Sequence, residues 1–320
     1  MANERVKLSP RAEAAAVAPW IARRERGSIL MMRIMVFVSL RLGRSVGRIV
    51  LHVIAAYFFL FAPAVRAHMR NYLRRALGRE PRAADRYRLL LSFASTIHDR
   101  LFFISGQFDQ FDITVDGMDV VAKRFMRGEG AFLMGAHLGC FEVTSALGRR
   151  QPGLQVALVM YEDNAQKING VLAAVNPSLR ADTIPLGTLD SMLRIRARLD
   201  GGAFVGVLGD RTFGADRFVQ IPFLGAPAFF PTSAMRAAAL LRRPVIFMAG
   251  LYQGGNRYRV VFEELADFSH TTASERESAL ELAIARYAEV IERCCVSDPF
   301  NWFNFFDFWR IPPALAARES

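Results

Sequence analysis

The chain has 320 residues, of which 52% are hydrophobic and 22% are charged. This composition excludes a mainly disordered chain. At roughly 100–200 residues per domain, the length allows one large domain or two small ones. The net charge of +11 is unevenly placed: residues 1–88 carry 18 Lys and Arg against 5 Asp and Glu, whereas residues 89–320 carry 23 against 25. The nearly neutral body argues against a nucleic-acid-binding protein, and the local basic region indicates an anionic partner.

The basic N-terminal quarter contains an apolar run, IVLHVIAAYFFLFAPAV, over residues 49–65. As a helix it would span about 25 Å, against about 30 Å of bilayer hydrocarbon, so it is marginal as a transmembrane helix and would also serve as an interfacial anchor. Arginines flank it on both sides: Arg41, Arg44, Arg48, Arg66, Arg70, Arg74 and Arg75. We therefore predict membrane anchoring by this region. The alternative is a buried core helix of a soluble protein.

From residue 84 onward, helical and strand-like patterns alternate. Several predicted strands are apolar throughout, which is typical of an α/β sheet covered on both faces. Predicted strands cover residues 111–115, 130–136, 154–161, 183–186, 203–208, 245–252 and 258–263. Predicted helices cover residues 85–105, 120–126, 141–150, 165–175, 189–199, 232–241 (capped by Thr232 or Ser233) and 274–294.

The last two predicted strands form a hairpin around Gly254-Gly255-Asn256, so we expect an α/β fold with a mixed central sheet flanked by helices. The predicted organisation is a basic region with the anchor over residues 1–83, an α/β domain over 84–310 and a tail over 311–320. Three cysteines, Cys140, Cys294 and Cys295, provide neither a disulfide framework nor zinc-ligand spacing. We expect a reducing compartment, with no metal site and no cofactor.

One pattern in the predicted α/β domain contains residues suited to acid–base catalysis. The apolar strand GAFLMGA is followed by His137, and Glu142 comes five residues later. The carboxyl ends of strands are where open α/β sheets bind ligands. If His137 lies in the turn and Glu142 in the first turn of the next helix, the carboxylate can bond one imidazole nitrogen and leave the other as a general base. No serine nucleophile is placed beside them, which favours direct acyl transfer to a substrate hydroxyl. The alternative is a core histidine and a surface glutamate.

The His137-x4-Glu142 pattern resembles the first motif of the lysophospholipid and glycerolipid acyltransferase superfamily. The later segment LGDRTFGADRFVQIPFLGAPAFFPTSAMRAAALLRRPVIF resembles one branch of it, the late lipid A (lauroyl and myristoyl) acyltransferases. The basic N-terminus with NYLRRALG and the aromatic tail around Trp302 and Trp309 also fit this branch. The resemblance covers residues 20–310.

The resemblance implies a bacterial inner-membrane enzyme, acting on the cytoplasmic face, that moves a fatty acyl chain from acyl carrier protein, or sometimes CoA, to a hydroxyl of a lipid. By matching position, His137 is the general base, Glu142 orients it, and Asp210 supports the site. Arg211 is expected to stabilise the oxyanion or bind a phosphate, with a salt bridge to a neighbouring acid as the alternative. Gly139 is the other candidate substrate-binding residue.

Two departures from the lipid A branch bear on the acceptor. Glu162 follows Tyr161 where an arginine is usual. The small-Pro-Gly pattern that usually follows the Pro-Phe element is also altered, and residues 230–234 read Phe-Pro-Thr-Ser-Ala. The tail NWFNFFDFW resembles that of relatives tied to aryl polyene lipid synthesis, which makes such a lipid the leading alternative acceptor, alongside a lysophospholipid. A catalytically inactive, membrane-associated lipid-binding protein is the competing function.

The tail aromatics allow two interpretations. These side chains either line an acyl groove or lie at the membrane interface, or they cap the core. They are Trp302, Phe303, Phe305, Phe306, Phe308 and Trp309.

Overall fold

The computed structural model describes residues 29–144, 153–160, 182–186, 189–211 and 216–312. Its centre is a seven-stranded sheet in which five neighbouring strands are parallel to one another and the other two run the opposite way. Two further strands form a separate antiparallel sheet. The predicted mixed α/β sheet is therefore confirmed.

The bounds of the elements agree closely with the predicted ones where both exist. The strands are β1 (Asp112–Asp116), β2 (Phe132–Gly135), β3 (Val156–Met160), β4 (Thr183–Pro185), β5 (Phe204–Leu208), β6 (Phe218–Phe223), β7 (Ala226–Pro231), β8 (Pro244–Tyr252) and β9 (Arg257–Asp267). The order in the large sheet is β1-β9-β8-β2-β5-β3-β4, with β9 and β1 opposite in direction to the other five, and β6 pairs with β7. The helices are α1 (Ile29–Phe61), α2 (Pro63–Leu77), α3 (Ala83–Ile104), α4 (Met118–Met126), α5 (Leu189–Asp200), α6 (Ser233–Leu240) and α7 (Arg276–Ser297).

Two predicted helices fall partly or wholly outside these ranges. Residues 141–144 are helical, as predicted for 141–150, and the remainder of that segment lies outside the described residues, as does 165–175. Thr232 precedes α6 as predicted, but its side chain makes no capping hydrogen bond.

The central strands are buried on both faces because helices cover each side of the sheet. All residues of β2 are buried, and so are all but the last of β5 and β8. One apolar cluster packs α2, α6, α7 and the C-terminal tail against one face, and a second packs α3 and α4 against the other. This sandwich explains why these strands carry continuous apolar runs rather than alternating ones.

The hairpin of β6 and β7 was not predicted. Its strands contain Pro222, Pro227 and Pro231, which a two-stranded ribbon tolerates because each strand has a free edge. Leu224 and Gly225 form the two-residue turn with φ values of 49° and 75°, a conformation suited to the twist of a hairpin. The Leu224 amide also donates to Glu292 Oε2 at 2.7 Å.

The N-terminal apolar segment is not a buried core helix. Helix α1 is kinked at Gly43, where φ is +80°, and the stretch Gly43–Phe61 is long and apolar enough to cross a membrane. Only 17% of its most apolar 18-residue stretch is buried. Leu51 and Ala55 face the protein, while a stripe of large apolar side chains faces outward: Ile49, Val53, Tyr57, Leu60 and Phe61.

A buried ion pair joins α1 to the α/β body. Arg44 donates from Nε and Nη2 to both carboxylate oxygens of Asp99 on α3, each at 2.7 Å. Tyr258 of β9 donates its hydroxyl to Asp99 Oδ2 at 2.9 Å. Further along, Phe59 packs on Tyr87, so α1 and α3 run antiparallel over most of their length. Helix α1 is thus fixed to the sheet at one end and to α3 along its side.

The tail aromatics cap the core. Trp302, Phe303 and Phe308 are buried, and Trp302 packs edge-on against Tyr72 of α2 and Phe223 of β6. Arg75 of α2 lies over the Trp309 ring at 4.6 Å. The capping interpretation is therefore confirmed for these residues.

We predict that Asp99→Asn destabilises the protein strongly. Removing one charge of a buried, bidentate pair leaves Arg44 uncompensated, which typically costs about 3–5 kcal/mol. The matched control is Asp119→Asn, because Asp119 pairs with Lys123 on an exposed surface, where an ion pair contributes little. Denaturant unfolding in detergent measures both. Equal, small losses for the two variants would contradict the role given to the Arg44–Asp99 pair.

Candidate functional site

The candidate site lies at the carboxyl ends of two adjacent parallel strands. His137 follows β2 and Asp210 follows β5, each two residues beyond the last strand residue. Gly135 of β2 is in register with Leu208 of β5, so the two following segments meet at one edge of the sheet. This is the position at which open α/β sheets place their ligands.

His137 and Asp210 form a hydrogen-bonded pair. His137 Nδ1 lies 2.8 Å from Asp210 Oδ1, and the His137 backbone N–H donates to Asp210 Oδ2 at 3.0 Å. The Asp210 side chain is buried, whereas the His137 side chain keeps 31% of its surface exposed. An ionised carboxylate accepts and does not donate, so Nδ1 carries the proton and the lone pair is on Nε2.

Burial and neighbouring charges set the protonation of this pair. Burial lowers the pKa of His137 below its usual 6.5; Asp210 opposes this, and Arg211 and Arg100 add to it. Burial alone would raise the pKa of Asp210, but His137 and Arg211 hold it well below its ordinary range. At neutral pH the site therefore contains a neutral imidazole and a carboxylate, the state that a general base requires.

The expected contact between Glu142 and the imidazole of His137 is not formed, and this part of the prediction is corrected. Glu142 Oε1 instead forms an ion pair with Arg100 Nε of α3 at 2.7 Å, and the Cys140 thiol donates to its other oxygen at 3.5 Å. The carboxylate on the imidazole is Asp210. Burial raises the pKa of the Cys140 thiol well above its usual range, so it is protonated and unsuited to act as a nucleophile.

The loop after β2 requires glycine at position 139. Gly139 has a φ of +69°, and a Cβ there would lie 2.0 Å from the carbonyl oxygen of Gly250 on β8. Its N–H donates to Asn301 O at 2.8 Å, and the Cys140 N–H donates to Gly250 O at 2.7 Å. The structure thus gives Gly139 a role in loop geometry, and its backbone N–H is hydrogen-bonded within the protein.

The remaining loop amides are also engaged. The His137 N–H donates to Asp210, and the Leu138 N–H donates to Ala136 O at 2.6 Å. All four backbone amides of residues 137–140 therefore have acceptors within the protein.

Arg211 is held by the C-terminal tail. Its Nε donates to Asn304 Oδ1 at 2.6 Å, its Nη2 donates to Phe303 O at 3.0 Å, and its guanidinium lies 5.3 Å from the Phe306 ring centre. Burial lowers the pKa of Arg211 to about 10, so it remains a cation at neutral pH. Within the described ranges, no group of three or more His, Cys, Asp or Glu side chains is placed to hold a metal ion.

Sequence reasoning missed two contributors to the site. Asn304 donates from Nδ2 to Asp210 Oδ2 at 2.9 Å, and Tyr287 of α7 donates its hydroxyl to Gly135 O at 2.7 Å. Both lie far along the chain from His137, and no spacing rule links them to it. The polar residues within the aromatic tail, Asn301 and Asn304, were the available signal, because an asparagine buried among aromatic side chains needs partners.

Comparison with known proteins assigns the chain to a family. A hydrogen-bonded His–Asp pair at the ends of adjacent parallel strands is chemically suited to acid–base chemistry. The model of the bacterial lipid A biosynthesis acyltransferase family matches residues 23–311. The chain belongs to this family, and it is an acyltransferase. A search of the curated proteins finds no match.

We predict that Gly139→Ala inactivates and destabilises the protein. The new methyl group would clash with a backbone carbonyl and displace the loop that carries His137, at a cost of roughly 3 kcal/mol or more. Gly128→Ala is the matched control, because Gly128 has a similar φ of +66° but nothing within 4 Å of the added Cβ. That control should lose only the backbone strain, roughly 1–2 kcal/mol. Unfolding and transfer assays on both variants test this, and equal losses would contradict the close approach.

Proposed function

We propose that the protein transfers a fatty acyl chain from an acyl thioester, on acyl carrier protein or CoA, to a hydroxyl of a lipid acceptor. The observation that supports this most directly is the His137–Asp210 pair, which leaves a neutral Nε2 lone pair on a partly exposed ring. Family membership supports a lipid as the acceptor.

In this mechanism His137 acts as the general base. The acceptor hydroxyl transfers its proton to Nε2 while its oxygen attacks the thioester carbonyl. Asp210 stabilises the imidazolium that forms and keeps Nδ1 protonated. Arg211 balances the charge of the tetrahedral oxyanion. When the C–S bond breaks, the imidazolium returns its proton to the leaving thiolate, and the acyl ester and free thiol are released.

Glu142 supports the site through Arg100 in this proposal. Arg100 faces His137 closely enough to lower the pKa of the imidazole. The Glu142 carboxylate pairs with Arg100 and offsets that cation. Glu142 is therefore a positioning and charge-balancing residue, one step removed from the reacting atoms.

Family membership and helix α1 support the proposed acceptor and the proposed membrane location. A lipid A precursor is the first candidate acceptor, and an aryl polyene lipid or a lysophospholipid is the alternative suggested by the tail. Family members are membrane-associated, and the outward stripe of Ile49, Val53 and Tyr57 supplies an apolar surface for a bilayer. We place the enzyme on the cytoplasmic face of the bacterial inner membrane. An inactive lipid-binding protein would have no need for the His137–Asp210 pair.

We predict that His137→Gln abolishes acyl transfer. Loss of a general base typically reduces rates by about 10²–10⁴-fold. Mass spectrometry of lipid extracts from cells with the wild-type protein, the variant or neither should show a lipid carrying one more acyl chain with the wild type alone, and that lipid identifies the acceptor. His270→Gln, an exposed histidine on a loop, is the control and should behave as wild type. Full activity of His137→Gln would refute the mechanism.

The acid limb of the pH–rate profile tests which carboxylate is the partner of the His137 imidazole. Because the pKa of His137 is lowered, activity should persist as the pH falls to 6.5 and be lost at lower pH, when the ring is protonated. In Asp210→Asn the charge that favours the imidazolium is gone, so the limb should move to lower pH and kcat should fall. Glu142→Gln leaves Asp210 in place and should move the limb less. A larger shift in Glu142→Gln would show that Glu142 is the partner.

A further inference from the structure

The C-terminal segment is hydrogen-bonded to the loop that carries His137. The Phe303 N–H donates to His137 O, and the Gly139 N–H donates to Asn301 O, both at 2.8 Å. Between these bonds Leu138 pairs with Trp302 in antiparallel fashion. The tail therefore holds the backbone of the proposed catalytic loop at His137 and at Gly139.

Asn304, at the end of this segment, connects the two charged groups of the site. Its Nδ2 donates to Asp210 Oδ2 at 2.9 Å, and its Oδ1 accepts from Arg211 Nε at 2.6 Å. The side chain is almost completely buried. The carboxylate can only accept and the guanidinium can only donate, so the orientation of the amide is fixed by its partners.

A carboxamide suits this position for a physical reason. Asp210 and Arg211 are adjacent in the chain and opposite in charge, and they attract each other strongly where water is excluded. A direct ion pair would use the Asp210 oxygens that accept from His137. A neutral side chain that donates to one group and accepts from the other satisfies both without adding charge.

We propose that Asn304 is a positioning residue for acyl transfer, which keeps the Asp210 carboxylate directed at His137 and holds the Arg211 guanidinium in the site. This role rests on the proposed function of His137. Asn304 acts through Asp210 and Arg211, and nothing in the role requires it to touch the substrate.

Other charged and titratable groups near His137 define the expected pH behaviour. Asp210 and Arg211 face it from the end of β5, and Arg100 faces it from α3. Tyr287 and Cys295 of α7 lie near Asp210, and burial raises the pKa of both well above their usual values, so they stay neutral. Asn304→Ala removes the bridging amide without a change of charge, whereas Asn304→Asp adds one negative charge at that position.

Asn304→Ala and Asn304→Asp should shift the acid limb of the kcat profile in opposite directions. In Asn304→Ala, Arg211 can draw the Asp210 carboxylate away from His137, so the limb moves to lower pH. In Asn304→Asp, the added negative charge favours the imidazolium, so the limb moves to higher pH. Both variants should lower kcat roughly 10- to 100-fold, since each disturbs a charged group of the site, with KM for the thioester changed less than about threefold.

Asn301→Ala is the matched control. Asn301 is also a buried tail asparagine, but its side chain bonds the backbone of Tyr252 and Asp298 and not the charged groups of the site. It should lower the unfolding temperature and leave the acid limb unmoved. An unmoved limb in both Asn304 variants, or a shift in one common direction, would overturn the positioning role. If His137→Gln also stayed active, the proposed function itself would fail, whereas an inactive His137→Gln would confine the failure to Asn304.

Discussion

The site depends on one buried carboxylate, Asp210. It accepts hydrogen bonds from the ring and the backbone of His137 and from the amide of Asn304. A carboxylate removed from water must be compensated by such bonds and by nearby positive charge. The same bonds that compensate Asp210 also fix the tautomer and the position of His137. The hydrogen bonds that stabilise the buried charge are therefore the same ones that orient the imidazole.

The fold brings His137, Asp210 and Asn304 together from distant parts of the chain. The parallel pairing of β2 and β5 brings His137 and Asp210 to one edge, and the tail after α7 delivers Asn304. The close approach of Gly139 to Gly250 holds the loop against β8. The Arg44–Asp99 pair fixes helix α1 to the same body. The orientation of the apolar stripe relative to the site is thus set by buried hydrogen bonds.

Much of this architecture could be predicted from the sequence, because apolar strands and amphipathic helices have clear periods. The position of His137 after a buried strand was also predictable. The partner of His137 was not: Glu142 is near in sequence, but its carboxylate pairs with Arg100, while Asp210 is brought in by sheet pairing across 73 residues. The β6–β7 hairpin was missed because prolines mask its strand pattern. Long-range pairing, which leaves no local signal, accounts for the first miss, and the prolines account for the second.

The measurement that tests the central claim most directly is the ¹⁵N NMR signature of the His137 ring at neutral pH. The account predicts a neutral imidazole with the proton on Nδ1, retained in Glu142→Gln and lost in Asp210→Asn. A ring protonated on Nε2, an imidazolium, or a signature that changes in Glu142→Gln and persists in Asp210→Asn would contradict it.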